Sequence, residues 1–200
     1  MSESAVDGRP GLRERKKAKT RALIQEHALR LFQEQGYVAT TVEQIAEAAE
    51  VSPSTFFRYF GSKEDVLLYD PMDPVVIAAF LAQPAELTPI QAIRKTVVEI
   101  FGGMPPEQMA DTLVRGRLMY SAPELRSAVI MDMLRSAGLF ADAVALRTGR
   151  PVDDFELRVF VGALMGAIMA GFLPMIDGSG VDILDSMDRA LRVLEQGLQL

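Results

Sequence analysis

Three helix starts crowd into the stretch from Thr40 to Lys63, leaving room only for short helices joined by tight turns. Thr40-Thr41-Val42-Glu43 reads as a capping box, in which a hydroxyl and a carboxylate satisfy the free backbone N–H groups of a helix start. The helix it launches, Val42 to Ala49, places Val42, Ile45, Ala46 and Ala49 on one face. After a break at Glu50-Val51, Ser52-Pro53 supplies an N-cap hydroxyl and then a proline at the first helical position, where no backbone N–H is needed. That helix ends near Phe60-Gly61, and Ser62-Lys63-Glu64-Asp65 opens the next. Upstream, a longer helix runs from about Leu12 to Gln35, with Ile24, Ala28, Leu31 and Phe32 on one face and Gly36 as its stop. Two short helices joined by a turn, the second starting at Ser52-Pro53, form a helix-turn-helix.

Beyond Tyr69 prolines punctuate further helical segments, expected at about 74–82, 89–102, 106–120, 123–148, 152–173 and 181–199. No strand-like alternation and no internal repeat interrupts them. The fold class expected is all-α. A flexible arm region over 1–11 precedes a domain over 12–67 that carries the helix-turn-helix, and a larger helical domain fills 68–200. The 49% apolar composition is ample for a core and excludes a disordered chain.

With no Cys and a single His, the chain has no disulfide framework, no thiolate metal site and no multi-His site. His27, at the edge of an apolar helical face, reads as a packed boundary residue. No carboxylate pair stands in a catalytic motif, Asp153-Asp154 reads as capping, and neither Gly102-Gly103 nor Gly61-Ser62-Lys63 has a P-loop around it. No catalytic residue, cofactor or metal is expected. Val159 to Ile176 runs 18 residues without a charge, the short limit for a membrane span. Its glycines, its Pro174 and its amphipathic lead-in PVDDFELR favour a buried helix instead, and the N-terminus lacks the apolar core of a secretory signal. A cytoplasmic setting is expected, with no membrane partner.

Net charge is −6, which taken as a sum counts against nucleic acid. Its distribution says otherwise. Seven basic residues and one acid lie between Arg9 and Arg21, whereas 14 basic residues face 24 acids from Ala22 onward. A basic segment directly ahead of a helix-turn-helix is an electrostatic footprint for DNA.

The string TRALIQEHALRLFQEQGYVATTVEQIAEAAEVSPSTFFRYFGSKEDVL, about residues 20 to 67, resembles the DNA-binding domain of the tetracycline-repressor (TetR) family. Its features are LF-x-E-x-G-Y, then T-T-V-x-x-I-A, then A-x-V-S-x-x-T-F-F-R-Y-F-x-S-K-E-D, in unbroken order. The resemblance implies a regulator that binds double-stranded operator DNA as a homodimer. Ser52, Pro53, Ser54 and Thr55 then form the turn that meets base edges or phosphates. Phe57, Arg58 and Tyr59 lie on the remaining surface. The family often has Tyr at the position of Phe57, so here a phosphate hydrogen bond is lost and contact with a thymine methyl or sugar is left. Arg58 suits guanine or a phosphate, with a solvated charge as the alternative. Lys63 resembles the family's phosphate-clamping lysine. Thr41 serves as a cap, a phosphate contact, or both. Arg9, Arg13, Arg15, Lys16, Lys17 and Lys19 would add sequence-independent affinity.

The family's C-terminal helices bind a small effector and usually dimerise through the last two helices. The stretches PELRSAVIMDMLRSA and ALRTGRPVDDFELRVFVGALMGAIMAG are similar to regulators whose relatives bind acyl-CoA or lipid-like effectors. Ten of 11 Met lie beyond Tyr69, and Met is suited to a deformable apolar pocket. Phe80, Phe101, Met109, Tyr120, Met133, Met165 and Met169 are the pocket candidates, for a small hydrophobic or acyl-type effector. Arg115 and Arg117 would meet an anionic group or form surface salt bridges. Gly162, Gly166 and Ala170 give a small-residue surface, and Met187, Leu191 and Leu194 an apolar stripe, for a two-fold four-helix interface. The leading reading is a repressor released from its operator by that effector; the alternative is a helical apolar-ligand carrier or enzyme on the same fold without DNA function.

Overall fold

The structure is a computed structural model describing residues 11–176 and 181–198. Every regular element among the described residues is helical. The chain divides into two compact units, one ending at Leu67 and the other beginning at Leu68.

The first unit starts with α1, Leu12–Gln35, whose Ile24, Ala28, Leu29 and Phe32 are buried. Gly36 ends it at φ 85°, a left-handed backbone that a side chain disfavours, and its N–H closes on the Phe32 carbonyl at 3.1 Å. Helix α2, Val42–Ala48, begins at a capping box, but one register later than the sequence suggests. Thr41 Oγ1 accepts from the Gln44 N–H at 3.2 Å, and Gln44 Oε1 accepts from the Thr41 N–H at 2.9 Å. The third helical position must supply the return acceptor, so Gln44 and not Glu43 does so. Thr40, expected in the box, is buried, and its hydroxyl donates to the Gly36 carbonyl at 2.8 Å. Helix α3, Pro53–Tyr59, carries the expected Ser52 cap, accepting from the Thr55 N–H at 3.1 Å. Helix α4, Lys63–Leu68, buries Val66 and Leu67.

The second unit holds α5 (Asp73–Ala82), α6 (Pro89–Gly102), α7 (Pro106–Ser121), α8 (Arg126–Thr148), α9 (Phe155–Ile176) and α10 (Ile183–Glu195). These follow the expected segments to within four residues at each end. The segment expected from 123 opens as a 3-10 turn, Pro123–Leu125, before α8 begins. Helix α9 runs through Pro174 rather than stopping ahead of it. The core gathers Phe80, Ala92, Ile93, Val97, Ala143, Val144, Leu157, Val161, Leu164, Met187 and Leu191 from five helices. Helix α9 is long and apolar enough to cross a membrane by length and composition, and here it packs on α7, α8 and α10.

Two devices fix this unit. Arg94 on α6 donates to Asp188 Oδ1 at 2.9 and 3.2 Å and to Glu195, both on α10. Arg147, near the end of α8, donates to the carbonyls of Gln83 at 3.0 Å and Leu87 at 3.1 Å as well as Pro84, and its guanidinium lies over the Phe80 ring. It thus supplies donors to free carbonyls at the end of α5.

At Gly171, α9 and α10 approach closely: a Cβ there would lie 3.0 Å from Met187 Sδ and 3.1 Å from its Cα. Because a backbone atom is one of the obstacles, Gly171→Ala is expected to cost about 1–3 kcal/mol by overpacking, read as a lower melting temperature. Hydrogen bonds from Gln91 and Arg94 hold the Glu195 carboxyl below its usual range. Burial opposes the same effect at Asp188, yet Arg94 and Arg192 lower it too. Stability drawn from these pairs is present above the ordinary carboxylate pKa and is lost as pH falls through the lowered one. Melting curves should therefore shift downward between about pH 5 and pH 3, and less so in Arg94→Met.

Candidate nucleic-acid interface and apolar cavity

Helix α3 splits cleanly into two faces. Phe56 and Phe60 are buried, their rings 6.0 Å apart, in a core with Ile24, Ala28, Phe32, Ile45 and Val66. Ser52, Pro53, Ser54, Phe57 and Arg58 are exposed, Phe57 by 54%, while Thr55 and Tyr59 are half-buried. The Ser52 hydroxyl lies 2.9 Å from Ser54 Oγ and 3.0 Å from Thr55 Oγ1, so the cap itself orders the first turn. At the other end Arg21 Nη2 donates to the Tyr59 carbonyl at 3.1 Å, a cation at a helix C-terminus, and Arg58 lies over the Tyr59 ring at 5.3 Å. Thr41 is exposed and already holds α2 through its cap.

Lys63, expected to clamp a phosphate, makes its contacts here to the loop between α1 and α2. Its ammonium donates to the carbonyls of Tyr37 at 2.8 Å, Thr40 at 3.0 Å and Val38 at 3.4 Å, and lies 4.3 Å from the Tyr37 ring centre. A lysine has three donors, and the α1–α2 loop takes all three. In the turn between α2 and α3, Glu50 stands at φ 53°, a left-handed conformation without glycine.

Arg13, Lys16 and Lys17, with Arg15 and Lys19, occupy the first turns of α1 and are all exposed. They form a helical extension of the unit. Arg9 and the expected segment up to residue 10 lie outside the described residues. His27 is half-buried, with no hydrogen-bond partner at Nδ1 among the described residues.

The second unit holds a partly open cavity of about 220 Å³. Of the pocket candidates, Phe80, Phe101, Tyr120, Met133, Met165 and Met169 line it, together with Phe140, Ile168 and Phe172. Met109 does not. Its stripe on α7 continues through Thr112, Gly116, Met119 and Tyr120, and the cavity ends at Thr112, one turn short of it. Missed by the sequence reading were Asp70, Asp73 and Asp132, which share the lining with Arg115. Arg115 is no surface residue: 13% exposed, it pairs with Asp70 and donates to the Tyr69 carbonyl at 3.1 Å. Arg117 is exposed. Burial pushes the Asp73 carboxyl upward, and the neighbouring charges of Asp70 and Asp132 add to this against a hydrogen bond from Arg135.

The stripe expected on α10 for subunit contact turns inward. Met187 and Leu191 are buried in the core, and Leu194 packs against it. An apolar stripe identifies the covered face of a helix but not its cover, and here α6 and α9 provide it. The small residues Gly162, Gly166 and Ala170 are exposed on α9, and open space surrounds both glycine positions. Phe155, Val159, Met169 and Leu173 extend that exposed apolar strip, and α8 exposes Leu134, Leu139 and Leu146.

Comparisons with known proteins agree over both units. A family model described as "Bacterial regulatory proteins, tetR family" matches residues 24–69, and one described as "MftR C-terminal domain" matches residues 87–199. The HTH-type transcriptional regulator TcmR of Streptomyces glaucescens is 36% identical, over 80% of this chain and 74% of its own. FadR of Thermus thermophilus, a TetR-family transcriptional repressor solved in complex with lauroyl-CoA, is 26% identical with a TM-score of 0.57, over 90% of this chain and 95% of its own. NalD of Pseudomonas aeruginosa, at 19% identity, shares the fold with a TM-score of 0.61 over 91% and 96% of the two chains.

The Lys63 geometry makes a direct prediction. Lys63→Met should lower stability by roughly 1–3 kcal/mol in chemical denaturation, while leaving the slope of log affinity against log salt for DNA unchanged. Glu50→Gly should be tolerated, whereas Glu50→Val, β-branched at positive φ, should cost about 1–2 kcal/mol.

Proposed function

The chain belongs to the tetR family of bacterial regulatory proteins, and we propose that it is an operator-binding repressor that works as a two-fold dimer released by a small apolar or amphipathic effector. It is a DNA-binding transcriptional regulator. The observation that carries the operator reading is the outer face of α3: small residues at the first turn, then Phe57 and Arg58, on a helix whose opposite face is anchored. Small side chains let the backbone approach base edges in the major groove. Arg58 has a fork suited to guanine or phosphate, Phe57 an apolar surface for a thymine methyl or sugar, and Tyr59 and Thr55 hydroxyls at the margin. Ser52 and Thr41 join as cap residues beside the backbone. Arg13, Lys16 and Lys17, on an exposed helical extension, contribute sequence-independent attraction to phosphates.

The dimer face proposed is the exposed strip of α9, centred on Gly162, Gly166 and Ala170, together with the exposed leucines of α8. Small residues allow helices to meet closely, and burying so long an apolar strip is the usual fate of such a patch. Two subunits then present two α3 helices to half-sites one helical turn apart. The cavity of the second unit is the proposed effector site, and the lauroyl-CoA of the Thermus FadR is one example of an amphipathic ligand in a related fold. An effector releases the operator only by binding the non-operator shape more tightly than the operator-bound one. The proposed setting is the bacterial cytoplasm, at the chromosome.

Footprinting on DNA upstream of its own gene tests the central reading: salt-sensitive, site-limited protection is expected, and its absence there overturns it. Arg58→Ala should cost about 1–3 kcal/mol of operator affinity and relax base preference at one position per half-site, whereas Lys16→Ala should weaken all sequences alike. Gly166→Arg should convert a dimer to a monomer in analytical ultracentrifugation and abolish specific protection without lowering helical content.

A further inference from the structure

We propose that the effector class of this cavity is a cationic amphiphile, an apolar body carrying an amine or ammonium head held between Asp73 and Asp132. This rests on the reading of the cavity as the effector site and specifies what it selects. The space itself is apolar, lined by methionine and phenylalanine, and suits a hydrocarbon chain or fused rings. Its polar groups are lopsided. Three carboxylates reach it, from Asp70, Asp73 and Asp132, against the single guanidinium of Arg115, and Asp70 already pairs with that guanidinium.

Asp73 and Asp132 are left to Arg135, which is half-exposed and does not line the cavity. The same nitrogen of Arg135, Nη2, lies 2.9 Å from Asp73 Oδ2 and 2.8 Å from Asp132 Oδ1. The second oxygen of each carboxylate accepts no hydrogen bond from the described residues. Two partly exposed carboxylates sharing one partner beside an apolar lining concentrate a negative potential there. Their charge also acts on their surroundings: burial and Asp132 both push the Tyr120 phenol upward. A cation at that end gains two charge-assisted acceptors, with Phe140 and Tyr120 in the same lining. A carboxylate or phosphate head would instead add a further anion to a surplus of anions. The polarity therefore runs against the CoA thioester carried by the Thermus FadR.

The test uses the full chain with octylammonium, octan-1-ol, octanoate and lauroyl-CoA in titration calorimetry, paired with release of bound operator DNA. Octylammonium should bind roughly tenfold or more tightly than octanoate, a gap of about 1.4 kcal/mol or more. In Asp73→Asn/Asp132→Asn that preference should vanish while octanol binding is unchanged, which also shows that the cavity is intact; Asp73→Asn alone is the milder variant. Octanoate or lauroyl-CoA binding as tightly as the ammonium, or a preference that survives the double variant, overturns the proposal. Octanol binding with no head-group preference leaves the cavity reading standing and removes only the cationic head. If none of the four binds, the cavity reading falls and takes the proposal with it.

Discussion

A seven-residue helix has almost no stability of its own in water, because nucleation costs more than so few hydrogen bonds return. Helix α3 therefore exists only as far as the rest of its unit imposes it. Phe56 and Phe60 anchor its inner face, the Ser52 hydroxyl closes its start, and Arg21 from α1 holds the carbonyl at its end. Lys63 performs the same service for the loop between α1 and α2. What results is a presented surface whose outward side chains stand on a buried, hydrogen-bonded support. Preorganisation of that kind lets a small contact area discriminate between base pairs, since little ordering remains to be done on binding.

The acidic balance of the chain takes on meaning by position. The exposed cations of α1 lie on the unit that carries α3, and the excess of acid lies elsewhere in the chain. Within the second unit, part of that acid is turned inward to the cavity and part is spent on Arg94, Arg115, Arg135 and Arg150. An acidic body disfavours indiscriminate adsorption to DNA while leaving the basic face its local attraction.

Local chemistry was readable in the sequence, and partners in space were not. Gly36, Ser52-Pro53 and the prolines at 89 and 106 marked element ends accurately because caps act within one turn of the chain. The capping box slipped by one residue because adjacent threonines, Thr40 and Thr41, offer the same hydroxyl, and only packing decides that Thr40 goes inside. Met187 and Leu191 were visible as an apolar stripe, but periodicity does not say whether a neighbouring helix or a second subunit covers it. Asp70, Asp73 and Asp132 converge from separate segments, so no spacing in the sequence links them. The Lys63 contacts were not legible either, since nothing in its own neighbourhood reveals carbonyls more than twenty residues upstream.

Helix α7 stands apart from its neighbours in that none of its residues is fully buried, although Thr112, Arg115, Gly116, Met119 and Tyr120 wall the cavity. Local opening free energy follows the apolar surface a segment hides, so this wall should open well below the global unfolding free energy, and its amides should exchange with solvent sooner than those of α9 or α10. A molecule filling the cavity would supply the missing contacts from within, slowing exchange along α7 first. The occupant would then form part of the hydrophobic core of the second unit, with α7 completed as a packed helix only when the cavity is filled.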